Sequence, residues 1–73
     1  MIVINQNKDE MTNFNCGVWC INKYNEIVLY TDKPNVYYTF AKYNTREEAE
    51  EVFQNFIQSV YDNNDIFNFS YFK

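Results

Sequence analysis

Thr45-Arg46-Glu47-Glu48-Ala49-Glu50-Glu51-Val52-Phe53-Gln54-Asn55-Phe56-Ile57-Gln58-Ser59-Val60-Tyr61 reads as one amphipathic helix, and the rest of the chain must supply the surface it packs on. Its apolar residues, Ala49, Val52, Phe53, Phe56, Ile57, Val60 and Tyr61, fall at offsets 0, 3, 4, 7, 8, 11 and 12, an unbroken stripe at helical spacing. Thr45 followed three residues later by Glu48 is a capping box: the Thr45 hydroxyl accepts from the Glu48 amide and the Glu48 carboxylate reaches back. Glu47, Glu48, Glu50 and Glu51 crowd the first turns, where the helix dipole favours negative charge. Asp62-Asn63-Asn64-Asp65 ends the helix.

Upstream the period is two. Val18-Trp19-Cys20-Ile21, residues 26–31 and residues 36–43 read as strands rich in β-branched residues and tyrosine. Asn22-Lys23-Tyr24-Asn25 and Asp32-Lys33-Pro34-Asn35 read as turns, the second with Pro34 fixing φ at the first central position and Asn35 accepting the left-handed region at the next. Short links between successive strands predict an antiparallel meander. Ile2, Val3 and Ile4 suggest a short first strand, and residues 5–15 a polar loop or arm. After the helix, Phe67, Phe69 and Tyr71 alternate with Asn68 and Ser70, which predicts a last strand with its apolar side in the core. The expectation is one domain over residues 1–73. Its class is α+β, a three-stranded antiparallel meander plus a C-terminal strand and a short N-terminal one, with one amphipathic helix on one face.

Sorting the strands by alternation gives two faces. Trp19/Ile21, Ile27/Leu29, Val36/Tyr38/Phe40 and Phe67/Phe69/Tyr71 form the bulkier set, expected under the helix. Val18/Cys20, Val28/Tyr30 and Tyr37/Thr39/Ala41/Tyr43 form the other, for which the chain has no second helix. An antiparallel sheet can face water on one side, but Tyr brings large contact area at little entropic cost. Tyr30, Tyr37 and Tyr43 are therefore the expected apolar anchors for a partner protein, with Glu47, Glu50 and Glu51 supplying charge complementarity.

Composition narrows the chemistry. The 73 residues carry no histidine, one glycine and one proline, with a net charge of −4. No imidazole is present to activate Cys16, Cys20, Ser59 or Ser70 as a nucleophile, and one glycine cannot make a glycine-rich phosphate loop. The carboxylate pairs lie on a solvated helix start, so the chain reads as a non-enzyme with no cofactor. Cys16-Gly17-Val18-Trp19-Cys20 offers two thiols and no histidine, short of the four ligands of structural zinc. Two residues four apart in a strand lie about 13 Å apart by rise, too far for a disulfide unless Gly17 bends the chain. The thiols read as small hydrophobes in a reducing, cytoplasmic setting. No apolar run approaches the roughly 20 residues a membrane helix needs, and no signal peptide is visible.

Lys8, Lys23, Lys33, Lys42, Arg46 and Lys73 are dispersed and outnumbered by acids, which argues against stacking single-stranded nucleic acid on the aromatic face. The converse, an acidic mimic of nucleic acid built on residues 47–51, has the ordinary solvated face of an amphipathic helix as its plainer account. Homodimerisation through the tyrosine face is the structural alternative. Asn, Lys, Ile, Phe and Tyr, all with AT-rich codons, make up 37 of the 73 residues. That bias suggests an AT-rich genome and explains part of the aromatic excess. The sequence reads as a complete, freestanding regulator or inhibitor, of phage or mobile-element type.

Overall fold

A computed structural model describes residues 1–33 and 35–73. In chain order the elements are β1 (Ile2–Ile4), β2 (Met11–Asn13), β3 (Val18–Ile21), β4 (Glu26–Tyr30), β5 (Tyr37–Lys42), α1 (Arg46–Tyr61) and β6 (Ile66–Asn68), with 3-10 turns at Phe14–Cys16 and Phe69–Tyr71. The fold is α+β. The meander β3-β4-β5 is antiparallel throughout. The N-terminal and C-terminal strands pair with each other in a second sheet of order β2-β1-β6, in which β1 runs antiparallel to β2 and parallel to β6.

The helix forms as its caps require. Thr45 is extended, and its Oγ1 accepts from the Glu48 amide at 3.2 Å. The Glu48 carboxylate folds back to accept from the Thr45 hydroxyl at 3.1 Å. At the other end Asn63 has φ 56°, the Asn64 amide donates to Ser59 O and the Asn63 amide to Val60 O. These are the two bonds of a Schellman motif, with asparagine in the left-handed position usually given to glycine.

Turn chemistry likewise follows the residues. Asn22 Oδ1 accepts from the amides of Tyr24 and Glu26, and Asn25 takes a positive φ, which closes the β3–β4 hairpin. Asn35 also has positive φ, and the Val36 amide donates to Lys33 O, the bond that spans the two central residues of that turn. Pro34, expected at the first of them, lies outside the described residues. The polar segment at residues 5–15 is an ordered turn and a strand. Buried Asn5 accepts from the amides of Asp9 and Glu10 and donates to Asp9 Oδ1, which turns the chain so that β2 can pair with β1.

The core is an aromatic cluster centred on Phe56. Its ring centroid lies 5.0 Å from that of Trp19, 5.1 Å from Phe67, 5.2 Å from Phe69 and 5.7 Å from Phe14. Trp19 fixes its indole by donating Nε1–H to Phe14 O at 2.9 Å. Val3, Ile27, Leu29 and Phe40 close the cluster from the two sheets. Each such ring can bury roughly 150–250 Å², which is how a short chain assembles a sufficient core.

Two core assignments are corrected. Tyr71, expected beside Phe67 and Phe69, is exposed. Asn68 Oδ1 accepts from the Ser70 amide, which ends β6 and starts a 3-10 turn, so alternation stops one residue after Phe67. Tyr38 lies in the core-facing row with Trp19 and Leu29, yet it is exposed because it sits on the edge strand, outside the core cluster.

Candidate functional site

The meander is a single layer with two unlike faces. Val18, Tyr30 and Tyr37 are in register across the three strands, one row from Trp19, Leu29 and Tyr38. Because Trp19 and Leu29 belong to the core cluster, the Tyr30 row must face away from it. Tyr30 and Tyr37 are 38% and 43% exposed, with ring centroids 5.5 Å apart. In the same strand Val28 is fully buried although it lies outside the core cluster. Cys20, opposite Val28, is a half-buried free thiol; Cys16 is free and exposed.

Tyr43 does not join this face. It is only 8% exposed and packs in the core, with its hydroxyl donating to Phe72 O. The cause is a β-bulge in β5: Ile27 pairs with Ala41 and Val28 with Thr39, so Phe40 is an extra residue. Phe40 and Ala41 both point inward, and every side chain after the bulge changes sides. The bulge is held by Gln6. Its amide donates to Phe40 O at 2.7 Å, its Oε1 accepts from the Lys42 amide at 3.0 Å, and its Nε2 donates to Phe72 O at 3.3 Å. Gln6 thus ties the first loop, the β5 edge and the C-terminus together. Burial, and then the charge of Glu48, push the Tyr43 phenol up to about 12.

Glu47, Glu50 and Glu51 are exposed on α1, which packs on the inner side of the meander. They therefore stand on the opposite side of the molecule from Tyr30 and Tyr37, and the two halves of the expected site do not make one contact surface. Glu50 pairs with Arg46 at 3.6 Å along the helix, and Lys42 pairs with Glu26 at 3.9 Å. Exposed pairs of this kind contribute little. No group of three or more potential metal ligands occurs among the described residues, and no helix among them is long and apolar enough to cross a membrane.

Two features went unread in the sequence. Tyr24, in the β3–β4 turn, adds a third ring to the outer face. With Cys20, Lys23, Tyr30 and Tyr37 it lines an open depression of about 430 Å³, and Lys23 Nζ lies 5.2 Å from its ring centroid, a cation–π contact. The second is an apolar groove of about 540 Å³ between α1 and the edge of β3, lined by Phe14, Val18, Phe53, Ile57, Val60 and Tyr61. Its signal was the length of the helical stripe, which continues through Ile57, Val60 and Tyr61 beyond what the inner sheet face covers.

No family model matches this chain, and comparisons with curated proteins and with solved structures return no match.

Proposed function

We propose that this chain is a small protein-binding module, a regulator or inhibitor of phage or mobile-element type, which occludes a partner protein with the outer face of its β3-β4-β5 sheet. The observation that carries this reading is the paired exposure of Tyr30 and Tyr37, rings 5.5 Å apart, on the side of the meander turned away from the core cluster. Tyrosines held by a strand lose little entropy on binding, and Tyr24 and Lys23 extend the same surface. Tyr43 is withdrawn from the set because it is in the core. Glu47 and Glu51 act at most as a separate charged surface, which disfavours a nucleic-acid mimic drawing on both halves. No catalytic step is assigned, and nucleic acid is not the proposed partner: Lys42 is paired with Glu26 and Lys23 lies over Tyr24, so the outer face presents no cationic stripe.

The test is comparative capture from a lysate of the source organism with immobilised wild-type chain, Tyr30→Thr/Tyr37→Thr, and Glu47→Gln/Glu51→Gln. A partner held by the wild type and the glutamine variant but lost by the threonine variant is the expected result. Equal retention on the threonine variant would remove the sheet face from the proposal. If the wild type instead self-associates and the threonine variant does not, the same face serves a homodimer.

A further inference from the structure

We propose that the cleft between the two sheets is a binding site for an arginine side chain presented by a partner protein. The cleft has a volume of about 410 Å³ and opens between β2 of the mixed sheet and the β4–β5 end of the meander. Leu29 and Phe40 line it and both belong to the core cluster, so it lies on the inner side of the meander, away from Tyr30 and Tyr37. Its two carboxylates come from distant parts of the chain. Glu10 is placed by the Asn5 turn: Asn5 Oδ1 accepts from the Glu10 amide at 3.1 Å, and the Asn5 amide donates to Glu10 O at 3.0 Å, which fixes the entry to β2. Asp32 stands just beyond the end of β4.

The charge in the cleft is of one sign. Glu10 and Asp32 are exposed, neither is in an ion pair among the described residues, and no lysine or arginine lines the cleft with them. Two carboxylates on one concave surface focus negative potential, and the net charge of −4 reinforces it. The wall is also aromatic. Tyr38 stands in the core-facing row, yet it is 43% exposed, and it lines the cleft. The face of such a ring attracts a cation within about 6 Å of its centroid. Thr12 and Thr31 bring hydroxyl acceptors from the two sides. This combination suits a guanidinium better than an ammonium. A guanidinium is planar, spreads five donors over several acceptors, stacks on an aromatic ring and is more weakly hydrated. An anion would meet two like charges here, and an apolar side chain would strip water from both carboxylates without replacing it. The cleft is separate from the Tyr30/Tyr37 surface and does not depend on that surface binding a partner.

Titration of the isotope-labelled chain with N-acetyl-arginine amide, followed through its backbone amide chemical shifts, tests the assignment. N-acetyl-citrulline amide, which keeps the shape and lacks the charge, is the control. The variants are Glu10→Gln/Asp32→Asn, Tyr38→Thr and Tyr30→Thr/Tyr37→Thr; all the residues changed are exposed, and circular dichroism will verify that each variant is folded. The expected result is saturable shifts at residues 10–12, 31, 32 and 38 with a Kd of about 1 mM, the scale for so small a ligand. Binding should weaken by about fivefold or more with citrulline amide and in the Glu10→Gln/Asp32→Asn and Tyr38→Thr proteins, and be unchanged in the outer-face variant. Free arginine, with the α-amino and α-carboxylate groups that a side chain in a protein lacks, should bind no more tightly than the capped amide. Absence of saturable shifts at these amides overturns the inference. So does citrulline amide binding as tightly, or either cleft variant binding as the wild type does. Tighter binding of free arginine would overturn the partner protein as the source, and a loss found only in Tyr30→Thr/Tyr37→Thr would move the cation to the outer face.

Discussion

On one side of β4, Ile27 and Leu29 are closed in by α1, by Trp19 and by the rings gathered around Phe56. On the other side Val28 and Tyr30 lie outside that cluster, Val28 buried and Tyr30 exposed. The residue types alternate along a single strand and differ little in hydrophobicity; what differs is the supply of covering elements. The described residues include one α-helix, and the mixed sheet β2-β1-β6 adds Val3 and Phe67 to the core. The outer face combines the buried Val28 with the exposed rings of Tyr30 and Tyr37. Stability therefore rests on the inner face, while the exposed tyrosines of the outer face can change with little cost to the fold.

The largest effect is expected on the inner face. Phe56→Ala removes the ring against which Phe14, Trp19, Phe67 and Phe69 pack. It should cost about 3–5 kcal/mol, enough to leave so small a domain largely unfolded in a urea titration at room temperature. Gly17→Ala acts on both faces at once. A Cβ there would lie 2.0 Å from Tyr30 O, a backbone atom, so β3 must move off β4. A loss of about 2–3 kcal/mol in the same titration is expected.

Tyr43→Phe is a finer probe, since it keeps the ring and removes the hydroxyl bond to Phe72 O. At neutral pH it should cost about 1 kcal/mol. Folding raises the phenol from its ordinary value near 10 to about 12. The folded state therefore holds a proton that the unfolded chain has lost between those values, and stability falls as pH rises through them. Tyr43→Phe lacks this loss, so the advantage of the wild type should vanish and then reverse as pH rises from about 10 to about 12 in denaturant titrations. A constant gap would mean that Tyr43 is solvated in the folded protein.

The helix could be read almost completely from the sequence, because stripe, capping box and terminal asparagines are local signals that agree with one another. The meander and its asparagine turns were equally local. The inner and outer faces were legible only as far as Phe40. The bulge that carries Tyr43 into the core is braced by Gln6, far away in the chain, and alternation within one strand cannot register such a partner. β2 was hidden for a similar reason: Met11-Thr12-Asn13 has no strand pattern of its own and forms against β1 because Asn5 turns the chain back. Tyr71 was misplaced because Asn68 hydrogen-bonds locally in competition with the strand. Of the expected contact residues, Tyr30 and Tyr37 share a surface. The acids were correctly exposed, but only the packing of α1 on the inner face revealed that they stand on the other side of the molecule.

The division of labour between the two faces is tested most directly by thermal unfolding of Tyr30→Thr/Tyr37→Thr beside Tyr43→Thr, threonine being chosen because it keeps β propensity. Tyr43→Thr empties a core position and should cost about 2–4 kcal/mol, which lowers Tm by about 10 °C or more for a chain of this size. The outer double variant should melt within about 5 °C of wild type, since both residues are more than a third exposed and outside the core cluster. The opposite order, with the outer pair melting early and Tyr43→Thr near wild type, would place the core on the other face and contradict the account.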